Sequence, residues 1–253
     1  MAINVNTVYT TVLSILNKEQ RGYLTPFEFN KLAVQVQLEV FEKYFEDLNV
    51  QLRSPQNNDE YADRVKSIEE KIDSFLTSDN TTATGNLGVT VVGGLGVIDT
   101  TAASPAIHRF GDVTFTDRAL LPVTIEKVSK HELSMSRRSQ FAAPTSKFPM
   151  CFIQGSSVNI LPAIASSNTL GNEKVYEINY VKKPSSPNWS FTTGTLGQYV
   201  YDSTNSVNFE ISDEDQSEVI LRILTYAGVV VRDTEIIQAA AGAVSQMDQQ
   251  QQQ

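Results

Sequence analysis

The stretch that decides the fold is Thr25–Arg53, "TPFEFNKLAVQVQLEVFEKYFEDLNVQLR". It opens with a capping box: the Thr25 hydroxyl can accept the Glu28 amide while the Glu28 side chain reaches back. Pro26 takes the first helical position, where no N–H is needed. Leu24 and Phe29 flank the box as a hydrophobic staple. The helix predicted from this start runs to about Arg53, with Pro55 stopping it. Val34, Leu38, Phe41, Phe45, Leu48 and Leu52 step along it by four and three, a coiled-coil-like seam. Phe29, Ala33, Val36, Val40 and Tyr44 form a second stripe beside the first. A helix with so wide an apolar face is buried on more than one side. Two readings stay open. The helix is the centre of a small bundle, or one stripe packs internally while Val34, Leu38, Phe41, Phe45 and Leu48 meet a neighbouring subunit.

Working outward, Val5 to Asn17 has apolar residues at helical spacing (Val8, Val12, Ile15, Leu16), and Gly22 breaks the pattern. Asp59 to Ser78 reads as a third, more charged helix with one stripe of Tyr61, Val65, Ile68, Ile72, Phe75 and Leu76. Residues 1–80 are therefore expected to form a helical hairpin or bundle. Residues 81–105 are rich in Gly, Thr and Ser and read as a loop or a β-hairpin.

Residues 106–211 read as a small antiparallel β domain, with one short helix in "HELSMSRRSQF". "PMCFIQGSSVNILPA" is a strand, a Gly-Ser turn and a second strand. In "KVYEINYVKKP", Tyr176, Ile178 and Tyr180 share one face, Glu177 and Asn179 the other. Val207, Phe209 and Ile211 form a closing strand. Residues 212–246 read as a C-terminal helical pair. Ser212 caps the first helix, the acids at 213–215 suit its dipole, and Gly228 ends it. "VVVRD" is an extended link, and the second helix runs from Asp233 or Thr234 to about Val244. Residues 247–253 are a polar tail, read as disordered when the chain is alone. The fold class is α+β.

Composition narrows function. Hydrophobic residues make up 41 % of the 253, enough for a packed core. There is no apolar run near the roughly 20 residues a membrane span needs. The N-terminus lacks a basic start and a small-residue cleavage site, so no secretory signal is read. Charge is uneven. Residues 1–80 carry 8 basic and 13 acidic groups, residues 81–200 carry 10 and 7, and residues 201–253 carry 2 and 9. At a net −9 the whole molecule repels free nucleic acid at long range.

No motif for chemistry emerges, and no catalytic, cofactor-binding or metal-ligating residue is assigned. The glycines at 85–96 lack the Lys of a phosphate-binding loop and the third glycine of a dinucleotide fingerprint. His108 and His131 stand in no metal spacing. Cys151, the sole cysteine, lies in an apolar strand, where a thiol is usually a small core residue. Asn17 to Glu28 has the length of an EF-hand loop without its acidic ladder or central glycine. Glu69-Glu70 and Asp213-Glu214-Asp215 read as solvated faces and caps. Arg137-Arg138, and Lys182-Lys183 ahead of Trp189, are weak candidates for gripping a phosphate chain and stacking a base. A solvated turn and a packed Trp are the simpler reading.

The stretch "VNTVYTTVLSILNKEQRGYLTPFEFNKLAVQVQLEVFEKYFEDLN" resembles the N-terminal region of virion structural proteins of short-tailed bacteriophages, notably crAss-like phages. "SQFAAPTSKFPMCFIQGSSVNILP", "INYVKKPSSPNW" and "EDQSEVILRILTYAGVVVRDTEIIQAAA" resemble the same group. The likeness covers most of the chain as an overall pattern and includes no catalytic motif. It implies a tail ring or adaptor protein (head–tail connector) in the virion, not an enzyme, stacked between portal and distal tail around the DNA channel. The implied partners are copies of itself, in a homo-oligomeric ring that is twelvefold if it matches a portal, and the portal or other tail rings. DNA would be passing cargo, with no membrane and no cofactor. The alternatives are an accessory nucleic-acid-binding virion protein and a hydrolase using Cys151 with a histidine.

Overall fold

The computed structural model describes all residues except 1, 19–23, 54–58, 81–87, 93–94, 102–105, 118–121, 146, 164–173, 232–233 and 252–253. In chain order its elements are β1 (Ala2–Ile3), α1 (Val5–Lys18), α2 (Pro26–Arg53), α3 (Asp59–Asp73), β2 (Leu76–Asn80), β3 (Gly88–Val92), β4 (Leu95–Asp99), β5 (Ile107–Asp117) and β6 (Val123–Lys127). Then follow α4 (Lys130–Ser136), β7 (Met150–Gln154), β8 (Ser157–Leu161), β9 (Lys174–Lys182), β10 (Phe191–Thr193), β11 (Tyr199–Tyr201), β12 (Phe209–Ser212), α5 (Gln216–Val231) and α6 (Thr234–Gln251). The class is mixed α+β. Two compact units form, residues 1–74 together with 184–253, and residues 75–183. This division replaces the contiguous one read from sequence. The segment after Lys183 leaves the β-rich unit because its apolar residues, Trp189, Phe209 and Ile211, are buried in the helical one.

The first unit is built on α2. Its capping box is complete. The Glu28 N–H donates to Thr25 Oγ1 at 3.3 Å, and the Thr25 N–H and hydroxyl donate to Glu28 Oε2 at 3.0 and 2.7 Å. These bonds, the hydroxyl's first, hold the Glu28 carboxyl below its ordinary pKa. Leu24 and Phe29, the staple pair, are both fully buried. Gly22 and Tyr23, in the turn before, lie outside the described residues, as does Pro55. α2 packs on α3 and α5, and α1 packs on α5. Each fully buried Phe or Leu here, such as Phe29, Phe41, Leu16 and Leu24, contributes about 1.5–3 kcal/mol relative to exposure. β12 does not close the β domain but pairs with β1 at the N-terminus, and the Val5 N–H donates to Asn208 Oδ1 at 3.1 Å.

The second unit is an eight-stranded sheet in the order β2-β9-β5-β6-β7-β8-β4-β3. All pairs are antiparallel except β6 with β7, which are parallel. A parallel pair needs a crossover connection, and α4 lies in it. Tyr176, Ile178 and Tyr180 bury one face of β9 in a core with Ile98, Val113, Phe115, Ile125, Cys151, Val158 and Ile160. In β8, Asn159 and Leu161 are buried as well as Val158 and Ile160, so this strand is covered on both faces and the alternation seen in its sequence does not carry through. Gly155 has φ +60° in the two-residue turn joining β7 to β8, where an L side chain would be strained. At Gly111 a Cβ would stand 2.9 Å from the Asn179 carbonyl oxygen, so β5 approaches β9 there as only glycine allows.

Three sequence expectations need correction, and of the loop and hairpin alternatives left open for residues 81–105 the described residues form the hairpin. The third helix ends at Asp73, and Leu76–Asn80 is a strand. Its Thr, Ser, Asp and Asn are indifferent helix formers, and the ladder to β9 satisfies their backbone instead. Within the glycine-rich 81–105 segment, β3 and β4 form a hairpin that joins the sheet through β8. α5 runs through Gly228 to Val231. One helical glycine costs about 1 kcal/mol, which packing against α1, α2 and α6 offsets. α6 continues through the glutamines to Gln251, in keeping with their fair helix propensity.

Replacing Thr25 and Glu28 with Ala is expected to cost about 1–2 kcal/mol. Chemical denaturation would show a lower midpoint at an unchanged slope.

Candidate functional site

The charged residues of the helical unit converge on one seam. α2 presents Glu39, Lys43 and Tyr44 at helical spacing, and α5 presents Glu218, Arg222 and Tyr226. Lys43 Nζ lies 3.1 Å from Glu218 Oε1, and Arg222 reaches the same carboxylate at 2.8 Å. Arg222 is also 3.8 Å from Glu39, whose Oε1 accepts the Tyr226 hydroxyl at 2.5 Å. One turn away, Asp215 accepts the Tyr44 hydroxyl at 2.5 Å and Lys71 of α3 at 2.9 and 3.1 Å. Asp215 and Glu218 are both buried. A cleft of about 290 Å³ opens beside them, lined by Lys43, Tyr44, Arg64, Lys71 and Asp215 among others.

Burial, then the bond to Asp215, pushes the Tyr44 phenol far above its ordinary pKa. The bond to Glu39, then burial, raises Tyr226. Both phenols are therefore neutral donors throughout the physiological range. The seam's chemistry is structural: each buried carboxylate is met by a cation and a hydroxyl or a second cation. Asp215 thus departs from its reading as a solvated cap. Ser212 precedes it without a side-chain capping bond.

The predicted subunit stripe divides. Phe41 and Phe45 are buried inside the unit, their rings edge-to-face at 5.2 Å, so they are core rather than contact surface. Val34, Leu38 and Leu48 are half-buried. Leu38 lines an outward groove of about 500 Å³ with Glu39, Glu42, Glu46, Asp47 and Arg222. Farther along α2, Val50 and Leu52 are exposed.

The β10–β11 hairpin carries the clearest exposed apolar surface, which sequence reading missed. Phe191, Leu196, Tyr199 and Val200 are all exposed, Leu196 by 91 %. A two-stranded ribbon is marginal by itself, and this one is rooted on an aromatic stack. Trp189 lies 4.4 Å from Tyr9 and stacks on Phe191 and Tyr201 at 5.9 and 5.7 Å. Its indole N–H donates to Asn6 at 3.0 Å and its backbone N–H to Asn30 at 2.8 Å. A ring so held does not stack a base.

The nucleic-acid candidates lie in the second unit. Arg137 and Arg138 are exposed and line a cleft of about 410 Å³ with Lys130, Leu133, Phe152 and Leu95. Lys183 is exposed and Lys182 half-buried, at the end of β9; neither lines that cleft. Cys151 is fully buried, and burial pushes its thiol up to about 11. Little thiolate is present at neutral pH, which does not suit a nucleophile. His131 is exposed on α4 and His108 half-buried on β5. Among the described residues, no three His, Cys, Asp or Glu side chains group as a metal site. No helix among them is long and apolar enough to cross a membrane.

No protein-family model matches this sequence, and no curated protein is similar to it.

Two outcomes are expected. Lys71→Met strands the Asp215 carboxylate and should cost about 3 kcal/mol, against about 1 kcal/mol for Tyr44→Phe, with a non-additive double variant in urea denaturation. Iodoacetamide at pH 8 should modify Cys151 at least tenfold more slowly in the folded chain than in urea, as counted by mass spectrometry.

Proposed function

We propose that this protein is a structural subunit of an oligomeric ring or adaptor in the tail of a short-tailed bacteriophage, linking portal to distal tail around the DNA channel. The observation that carries the assembly role is the β10–β11 hairpin. Four large apolar side chains stand in water on a ribbon too small to be stable alone, yet rooted firmly on Trp189. A surface of that kind is covered in the working state. The outward face of α2, with Leu38, Leu48, Val50 and Leu52, is a second candidate for contact with neighbours. The phage setting rests on the sequence resemblance, and the copy number and place in the tail follow from it only as expectations.

A nucleic-acid-binding accessory role is the second reading, favoured by the cleft at Arg137 and Arg138. The buried, high-pKa thiol argues against the Cys151 hydrolase.

Electron micrographs of native virions test the proposal. A symmetric ring of copies between portal and distal tail is expected, and a lone, unassembled chain would refute it. Leu196→Ser with Tyr199→Ser should reduce incorporation into particles while leaving the melting temperature within a few degrees, since both residues are exposed.

A further inference from the structure

Two β surfaces stand open, one in each unit. β3 is the last strand at one end of the eight-stranded sheet, and among the described residues it pairs only with β4. An edge strand offers a row of unpaired N–H and C=O groups, and proteins blunt such edges with charge, proline or a bulge. β3, "GVTVV", has none of these: its pairs with β4, from Gly88↔Asp99 to Val92↔Leu95, run without a register shift. No residue from Asn80 to Ile98 is charged. β2, at the other end of the sheet, carries Asp79. In the helical unit, the β10–β11 ribbon is a sheet of its own, with no third strand among the described residues. No residue from Pro184 to Tyr201 is charged, and Phe191, Leu196, Tyr199 and Val200 are exposed. A two-stranded ribbon gains its stability from a third strand or a packed face.

We propose that the β10–β11 ribbon of one copy adds to the β3 edge of a second copy, continuing the eight-stranded sheet across the contact. Main-chain hydrogen bonds hold the added ribbon, and its apolar side chains leave water at the junction. The contact joins two different surfaces, and a heterologous contact of this type is what builds a ring. The inference rests on the structural-subunit reading and adds the surface by which neighbours meet. A second copy is the occupant because the chain that carries the open edge also carries the open ribbon, and one contact satisfies both. Pairing β3 with β3 would leave the ribbon in water, and pairing ribbon with ribbon would leave the β3 edge unpaired. Charge favours the same pair of surfaces. At a net −9 two copies repel each other at long range, and these two uncharged stretches meet with the least opposition.

The test uses the full-length chain. Sedimentation of the wild type should show self-association. Two lysine variants are compared with it: Thr90→Lys on β3, and Thr192→Lys with Val200→Lys, which face each other across the ribbon. All three residues are exposed, so the melting transition should survive. Each variant should lower the association constant roughly tenfold or more, because lysine at a strand edge opposes the addition of another strand. Single thiols then locate the contact. Thr90→Cys and Thr192→Cys chains are mixed and treated with a bismaleimide that reaches across two strands, about 10 Å. Cys151 is fully buried and stays out of the reaction. A dimer linked between the two variants is expected, mapped by mass spectrometry, with little linking of either variant to itself. Efficient self-linking of Thr90→Cys would overturn the contact in favour of β3–β3 pairing, and of Thr192→Cys in favour of ribbon–ribbon pairing. A wild-type chain that stays monomeric at its solubility limit, or lysine variants that associate normally, would overturn it outright. A ring seen in virions beside a failed cross-link would leave the structural-subunit reading standing and remove only this contact.

Discussion

Asp215 and Glu218 are carboxylates held out of water, and the helical unit is arranged around that fact. A buried carboxylate left alone would cost several kcal/mol, so Lys71, Tyr44, Lys43 and Arg222 must all stand within reach. Those partners come from α2, α3 and α5, and the requirement fixes the rotation of each helix about its axis. Apolar packing alone would tolerate some sliding of α2 on α5. A bond pattern shared among six charged side chains and two phenols does not. With α2 locked in rotation, which of its residues face outward is also decided.

Much of the architecture was legible because it is local. The box at Thr25 and Glu28, the 3.6-residue rhythm of α2 and the alternation of Tyr176, Ile178 and Tyr180 each declare themselves within a dozen residues. What escaped was set by distant partners. Leu76–Asn80 continues a helical pattern until β9 offers it a ladder. Phe209 and Ile211 alternate like a strand, but no local signal says that their neighbour is Ile3 rather than the main sheet. Gly228 looks like a terminus and is passed over because the helix around it is packed.

The candidate sites follow the same division. Arg137 and Arg138 were visible as a basic pair, while their cleft needed Leu95 and Phe152 from other strands. The apolar seam of α2 was visible too, but periodicity cannot tell a stripe facing the core from one facing a neighbour. Phe41 and Phe45 belonged to the core. The hairpin at 191–201 was missed because Phe191, Leu196 and Tyr199 are scattered among Thr, Gly and Gln and show no period. A cue was present in the high aromatic content around Trp189, which only the stack of Tyr9, Phe191 and Tyr201 makes meaningful.

The insertion of residues 75–183 between the two parts of the helical unit has a consequence for timing. During synthesis the sheet unit is complete as soon as its own contiguous segment has emerged. The helical unit must wait, because Asp215, just ahead of α5, and Glu218, within it, appear more than a hundred residues after α2 and α3. Until then Lys43, Lys71 and the apolar stripes of α2 lack their partners. Contacts this far apart in sequence close late. The β10–β11 hairpin is rooted on Tyr9 and Trp189 from opposite ends of the same interval. The surfaces of the helical unit, the hairpin among them, are therefore finished only after nearly all of the chain has been translated, while those of the sheet unit are finished earlier.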